Sequence, residues 1–318
     1  MSIEKSHSMS ETSLRPGGTY EFAGHPVARI GYGAMALERF ATDAASGERL
    51  LRRAVELGID HIDTADFYGD SVANDLIRRA IRPEDDVLVV TKVGALKNPG
   101  GPLPLRPGQK PEELRHAVED NLRSLGRDRL DVVNLRRLDV GPGIEAEGDQ
   151  LVDLDDQLAE LVTLRDSGVI GAIGLSAVAI DTLRRALPAG IVCVQNAYGV
   201  VARRFEPLLE LCVSQGIAWA PFFPLGSGFP GIPKATDQPE VIAAAERIGA
   251  TPAQVGLAWL LGHAPNALVI PGTSSVDHLA ENVAVGAITL DASTTAELDG
   301  IWESRFAAAG EPAPQWTD

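Results

Sequence analysis

The chain has 318 residues, 45% of them apolar and 23% charged, which is enough to bury one large core and too apolar for wholesale disorder. Acidic residues outnumber basic ones by 44 to 28, for a net charge of -16. Such a surface repels phosphate backbones and anionic lipid, which argues against nucleic-acid and membrane partners and leaves any anionic cofactor to be held by local donors.

Residues 1–18 are polar, lack the apolar segment of a secretory signal and read as a disordered tail. The remainder, 19–318, reads as a single domain. No apolar run is long enough to span a bilayer, and Cys193 and Cys212 sit in apolar runs without metal-ligand spacing. The expected location is the cytoplasm, with both thiols reduced and packed.

Residues 20–27 look like two short strands around a turn, a β-hairpin covering one end of a core. Strands and helices then alternate. Strands are expected at 28–33, 59–64, 86–91, 130–135, 169–175, 191–194, 217–222 and 267–270. Helices are expected around Leu50 to Val55 and over 72–81, 111–125, 154–166, 179–187, 205–215, 239–248, 252–261 and 276–285, with one more outside at 294–304. Short apolar strands alternating with helices imply a parallel sheet buried on both faces. Eight such units imply an α/β fold, a (β/α)8 TIM barrel with an N-terminal hairpin and extra outer helices. The Pro/Gly-rich stretches 94–109 and 139–149 suit loops over its mouth.

In such a barrel reactive groups stand at the C-terminal strand ends. Asp63 and Tyr68 follow the second strand, Lys92 the third and Arg136 the fourth. A tyrosine is a poor acid near neutral pH, and a neighbouring ammonium ion improves it by stabilising the phenolate. Taken singly, each residue has a plainer reading: Asp63 as a loop cap, Tyr68 as a rim aromatic, Lys92 as a strand-end lysine reaching for water. Three titratable groups on neighbouring strands favour a shared function. The run Gly31-Tyr32-Gly33-Ala34-Met35-Ala36 fits the Gly-x-Gly-x-x-Ala dinucleotide fingerprint, but a hairpin precedes it and no clear helix opens behind it. Hydrolase chemistry finds little support: Gly-x-Ser-x-Gly is absent, and no His/Cys/Asp cluster has metal spacing.

Six pieces in order carry a family resemblance: His61 through Gly69, Val90-Thr91-Lys92, Gly174-Leu175-Ser176, Val194-Gln195-Asn196, Pro224-Leu225-Gly226, and Ile270-Pro271-Gly272-Thr273-Ser274-Ser275. Over about residues 20–285 the chain resembles the aldo-keto reductase superfamily. The resemblance implies an enzyme that reduces a small-molecule aldehyde or ketone with NADPH. It makes Tyr68 the proton donor, Lys92 and Asp63 the pair that makes it acidic, and Ser176 and Gln195 the holders of the carboxamide. It places Phe222 on the nicotinamide, Gly33, Ala34 and Met35 beside its reactive end, and Pro224, Leu225, Gly226 and Ser227 along the pyrophosphate. Gly272, Thr273, Ser274, His278, Glu281 and Asn282 match the adenosine-phosphate segment, Thr273 and Ser274 near a helix N-terminus for the 2′-phosphate.

Three departures from the family pattern stand out. Arg136 stands where many members have a histidine; it cannot hand over a proton, but it can polarise a carbonyl or bind an acidic or phenolic group. Alternatively Asp66 or Asp139 pairs with it. Ala177 replaces the asparagine of a common Ser-Asn pair. Gly272 and His278 replace a lysine and an arginine, so NADPH is favoured with NADH as the alternative. The runs 68–74 and 133–136 look like a bacterial branch that includes pyridoxal reductases, making pyridoxal or another polar aromatic aldehyde a candidate beside sugar or secondary-metabolite ketones. The competing reading is a nicotinamide-binding regulatory subunit with little turnover. Oligomeric state is not legible.

Overall fold

A computed structural model of the chain describes residues 15–141, 143–226 and 233–305. Residues 1–14 of the tail expected over 1–18, the final residues after 305 and Ser227 lie outside the described residues.

Strands β1 (Thr19–Phe22) and β2 (His25–Ala28) pair antiparallel across the turn at Ala23 and Gly24. Next come β3 (Tyr32–Gly33), α1 (Ala44–Glu56), β4 (His61–Asp63), α2 (Val72–Ala80) and β5 (Leu88–Val93). A small antiparallel pair, β6 (Ala95–Lys97) and β7 (Leu105–Pro107), precedes α3 (Pro111–Leu125) and β8 (Leu130–Arg136). The order continues with α4 (Leu154–Asp166), β9 (Ile170–Ser176), α5 (Ile180–Ala186), β10 (Ile191–Gln195), α6 (Glu206–Gln215) and β11 (Ala218–Trp219). Four helices end the described chain: α7 (Pro239–Ile248), α8 (Pro252–His263), α9 (Val276–Ala284) and α10 (Ala292–Arg305). Among the described residues no helix is long and apolar enough to cross a membrane.

The main sheet is parallel, seven strands in the order β11-β10-β9-β8-β5-β4-β3. Its two edges are drawn together by residues 267–270. Leu268 N donates to Trp219 O at 2.8 Å on one side, while Gly31 N donates to Val269 O at 2.8 Å and Val269 N to Arg29 O at 2.9 Å on the other. The architecture is α/β of TIM-barrel type, with helices outside a curled parallel sheet.

The pleat sorts the core into two layers. Leu88 and Val90 of β5, Val132 of β8, Cys193 of β10, Ala218 of β11, Leu268 and Ile270 fill the inside, and Phe22 and Val27 of the hairpin close its floor. Alternate residues such as Val89, Val133 and Ile173 face the helices and join a larger outer core. Helix ends follow local chemistry: Asp43 accepts from Ser46 N to start α1, and Thr251 and Gln254 form a reciprocal cap on α8.

Four expectations shift. The regular strand at 217–222 shortens to two residues; Ala220 N and Phe222 N still donate to Val194 O and Asn196 O, but only an isolated bridge joins Phe222 to Ala197, and Phe223 turns to a left-handed φ of 52°. The strand at 267–270 contributes bridges at Ala267 and Val269 rather than a continuous ladder. The stretch 94–109 is not all loop: β6 and β7 pair within it, and its Pro and Gly content conceals them. A 3-10 helix, Ala34–Phe40, opens directly behind Gly33. That does not make a nucleotide fingerprint, because a Cβ at Gly33 would meet Ile270 O at 2.5 Å; the glycine serves the approach of residues 270–272.

On the side of α6, α8 and α10, Glu206 accepts hydrogen bonds from Tyr198 Oη at 2.6 Å and Arg203 Nε at 2.9 Å and pairs with His263 Nε2 at 2.7 Å. Burial opposes its charge, but these partners outweigh burial and hold its carboxyl down at about 2. A depressed carboxylate pKa stabilises the fold above the ordinary value of 4.5, and that contribution is lost as pH falls toward 2. Glu206→Gln is expected to cost about 1–3 kcal/mol at neutral pH. Denaturant unfolding at pH 7 and pH 3 checks this: the gap to the unsubstituted protein narrows at the lower pH.

Candidate active site

Asp63 is the last residue of β4, in register with Val90, and Lys92 lies one inward position further along β5, in register with Asn134. Lys92 Nζ donates to Asp63 Oδ1 at 2.6 Å and to Thr64 O at 2.9 Å. Gln195 at the end of β10 donates from Nε2 to Asp63 Oδ2 at 2.7 Å. All three side chains are buried, so each carboxylate oxygen has a fixed donor and the ion pair is shielded from salt. Burial works against the Lys92 ammonium, but the charges of Asp63 and Tyr68 and their hydrogen bonds prevail and hold it above the usual lysine value.

A second buried network keeps this pair in place from outside the sheet. Thr64 Oγ1 donates to Asn74 Oδ1 at 2.8 Å, Asn74 Nδ2 donates to Asn121 Oδ1 at 3.2 Å, and Thr91 Oγ1 donates to the same oxygen. The network ties β4 and β5 to α2 and α3, so the heights of Asp63 and Lys92 are set together.

Tyr68 follows on a turn of successive left-handed residues, Gly69, Asp70 and Ser71, at φ 60°, 56° and 71°. Its ring centroid lies 4.9 Å from Lys92 Nζ and stands edge-on to Phe67 at 5.3 Å. Lys97 of β6 fastens the turn, with Nζ 3.0 Å from Asp66, 2.9 Å from Asp70 and 2.7 Å from Ser71 Oγ. The strained backbone is therefore held by a cation from the strand pair that the sequence concealed.

Arg136 ends β8 in register with Ser176 and points inward with Val132 and Asn134. Its main-chain oxygen accepts from Gln109 Nε2 at 2.8 Å. Burial pulls its guanidinium below the usual arginine value, and the field of Tyr68 partly offsets this. The pairing with Asp66 or Asp139 does not form. Asp66 is taken by Lys97 and Ser71, and Asp139 by Arg137 at 3.2 Å and Thr182 at 2.5 Å.

Other expected residues gather around the same end. Ser176 is buried in register with Gln195, and Ala177 has a left-handed φ of 53°, a conformation that suits asparagine better than alanine. Phe222 bridges Ala197 and stands edge-on to Phe223 at 5.2 Å. Ala34 is buried, Met35 is exposed, and Gly33 backs onto residues 270–272. Leu225 is turned onto Gly256 of α8, Gly226 lies against Pro233, and Pro224 lies against Gly199. The late segment is tied to the first strand by Tyr32 Oη donating to Thr273 O at 2.7 Å, and Ser275 caps α9 just beyond Thr273 and Ser274. Gly272, His278 and Glu281 are exposed there, and Asn282 is half-buried. A Cβ at Gly272 would meet Gly33 O at 2.7 Å.

The sequence reading missed Asn134 and Gln109. Both are fully buried, and neither amide atom of Asn134 has a partner among the described residues. The inward parity Val132, Asn134, Arg136 is the signal that points to Asn134; Gln109 carries none, because its role depends on contacts with β8 and α4.

A model of the Aldo/keto reductase family matches residues 29–303. The chain belongs to that family. It is an NAD(P)H-dependent oxidoreductase. Among curated proteins it is 43% identical to a pyridoxine 4-dehydrogenase of Escherichia coli K12, over 89% of this chain and 98% of the relative. It is 34% identical to an uncharacterised oxidoreductase of Schizosaccharomyces pombe, over 97% of this chain and 98% of the relative. Among solved structures it is similar to an aldo-keto reductase of Klebsiella pneumoniae in complex with NADPH, with a TM-score of 0.73 and 26% identity over 89% of this chain and 94% of the other. Another solved structure from that organism, an aldo/keto reductase in complex with NADP and acetate, also gives 0.73, at 25% identity over 94% of this chain and 97% of the other.

Proposed function

We propose that this family member reduces an aldehyde or ketone to an alcohol with NADPH, and that Tyr68 is its proton donor. The reading takes 19–318 as one domain, with residues 267–270 as the eighth strand of a closed barrel, and places the enzyme in the cytoplasm. The observation that carries it is the buried Asp63–Lys92 pair beneath Tyr68, with Lys92 Nζ 4.9 Å from the phenol ring. A buried ion pair costs desolvation, and its use here is to fix a positive charge where a phenolate must be stabilised.

The residues present fit the cofactor. Gln195 Oε1 is buried without a partner among the described residues while Nε2 is committed to Asp63, leaving a fixed acceptor for the amide hydrogens of a carboxamide. Ser176 stands beside it, and Phe222 supplies a ring face. Pro224, Leu225 and Gly226 would follow the pyrophosphate, and Thr273, Ser274, His278, Glu281 and Asn282 the adenosine end. Bound NADPH supplies the hydride. Tyr68 Oη gives its proton to the carbonyl oxygen as the C=O π pair moves there, Lys92 stabilises the remaining phenolate, and Asp63 keeps Lys92 charged and aimed.

Pyridoxal is the favoured candidate substrate, on the similarity to pyridoxine 4-dehydrogenase. Following NADPH oxidation at 340 nm with a panel of aldehydes, pyridoxal included, tests the reading. Cofactor binding without turnover on any carbonyl would replace it with a regulatory nicotinamide-binding subunit. NADPH preference rests on few cations, since Gly272 carries none and His278 is exposed on α9. His278→Arg is expected to raise the NADPH-over-NADH ratio of kcat/KM about 10-fold through a charge-assisted bond to the 2′-phosphate.

A further inference from the structure

Arg136 is a cation without an anion. In a chain of net charge -16, its guanidinium makes no hydrogen bond and no ion pair among the described residues. The contrast with its neighbour is direct: Arg137 is held by Asp139 at 3.2 Å, Gln157 Oε1 at 2.6 Å and Val152 O at 2.6 Å. The two carboxylates that the sequence offered to Arg136 are spent on Lys97 and on Arg137 with Thr182. A partly buried guanidinium whose donors meet no acceptor among the described residues is open to a ligand at the mouth of the site.

The surroundings hold this cation ready rather than neutralise it. Gln109 Nε2 grips the Arg136 main-chain oxygen, and Gln109 is itself bound through O and Oε1 by Gln157 Nε2. Over the side chain lies Gly143, at φ 137°, where a Cβ would come within 2.6 Å of Arg136 Nη2. The glycine gives the guanidinium room at the mouth. On the neighbouring strand Lys92 is in register with Asn134, one inward position before Arg136, and Tyr68 lies over Lys92 with its ring centroid 4.9 Å from Nζ, so the two groups share the mouth of the sheet.

We propose that Arg136 binds an anionic oxygen next to the reacting carbonyl, so that the preferred substrates are aromatic aldehydes with an ionised hydroxyl ortho to the formyl group. This rests on the carbonyl-reductase reading above and names its substrate class. A carbonyl oxygen within reach of Tyr68 is also beside Arg136, so a second oxygen on the adjacent ring carbon falls on the guanidinium. The planar fork matches two such oxygens as it matches a carboxylate. An aldehyde lacking the oxyanion leaves the guanidinium unpaired, and sites of that kind discriminate strongly against the deficient analogue. Pyridoxal, with its hydroxyl next to the formyl carbon, belongs to the class. A 2-oxo acid also sets an anionic oxygen beside the carbonyl and is the competitor.

The test compares 2-hydroxybenzaldehyde with 3-hydroxybenzaldehyde and benzaldehyde, and with phenylglyoxylate for the 2-oxo acid arm, by kcat/KM for NADPH oxidation. The ortho compound is expected to exceed the meta compound by about 10- to 100-fold. That ratio should climb with pH as the ortho hydroxyl ionises. In Arg136→Met the ratio falls toward one, and Arg136→Lys restores part of it. Gly143→Ala displaces the guanidinium without removing it and should also depress the ratio, which covers the case of a misfolded Arg136→Met; circular dichroism and NADPH binding identify that case. An ortho preference that survives Arg136→Met overturns the proposal, as does its absence in the unsubstituted protein or a stronger preference for phenylglyoxylate. Turnover without ortho preference defeats this inference alone, whereas no NADPH oxidation with any carbonyl defeats the reductase reading as well.

Discussion

Tyr68→Phe is expected to lower kcat by about 100- to 10,000-fold, the range that a positioned acid contributes. The substitution removes one oxygen and keeps the ring that stands edge-on to Phe67 at 5.3 Å, so the turn at 69–71 should persist. Cofactor affinity should be almost unchanged, because the residues proposed for the carboxamide, Ser176 and Gln195, lie on β9 and β10 and do not hydrogen-bond to Tyr68. Stopped-flow hydride transfer with fluorescence titration of NADPH separates the two effects. A variant with full turnover would remove Tyr68 as proton donor, and one that loses NADPH binding would show the ring to be structural.

Lys92→Met should be the most damaging single change, in both activity and stability. It leaves the Asp63 carboxylate buried with only the Gln195 amide on one oxygen, and breaking a buried pair in this way costs about 3–5 kcal/mol. Against a typical total of about 5–15 kcal/mol, that is a large share. Adding Asp63→Asn removes the stranded charge and should recover part of the stability without recovering turnover, since the cation beside Tyr68 is still missing. Denaturant unfolding of the two variants and their double mutant measures this. The pH dependence has a definite sign. The folded-state pKa of Lys92 is raised, so its contribution is complete below the ordinary lysine value of 10.5 and is lost as pH rises through the higher folded value. Lys92→Met should lack that alkaline loss.

Much of the scaffold was legible because its signals are local. Helix 154–166 was read at its observed bounds, and 111–125 likewise, from apolar spacing between a proline or acidic start and a glycine or serine end. The strands around β5, β8 and β9 were legible because burial on both faces makes them continuous apolar runs. The reading weakened where backbone hydrogen bonds leave the regular ladder. Residues 217–222 and 267–270 look like strands, but beyond Ala218 and Trp219 they are joined by isolated bridges, among them Trp219 with Ala267 and Ile30 with Val269, whose partners come from distant parts of the chain.

The site divides along the same line. By itself the sequence determined which residue types end which strands: a carboxylate and a tyrosine after β4, a lysine in β5, an arginine after β8 and a glutamine after β10. Parity and strand order are properties of the chain, and in a parallel sheet they bring such ends to one mouth. Pairing is not a property of the chain. That Asp63 is shared by Lys92 and Gln195, that Lys97 fastens the turn bearing Tyr68, and that Asp66 and Asp139 are both spent elsewhere were decided by distances across the barrel. Coulomb and hydrogen-bond energies fall off over a few ångströms, so which of several nearby carboxylates wins a cation depends on side-chain geometry that only the folded chain supplies. For Arg136 the result of that competition was no carboxylate partner among the described residues.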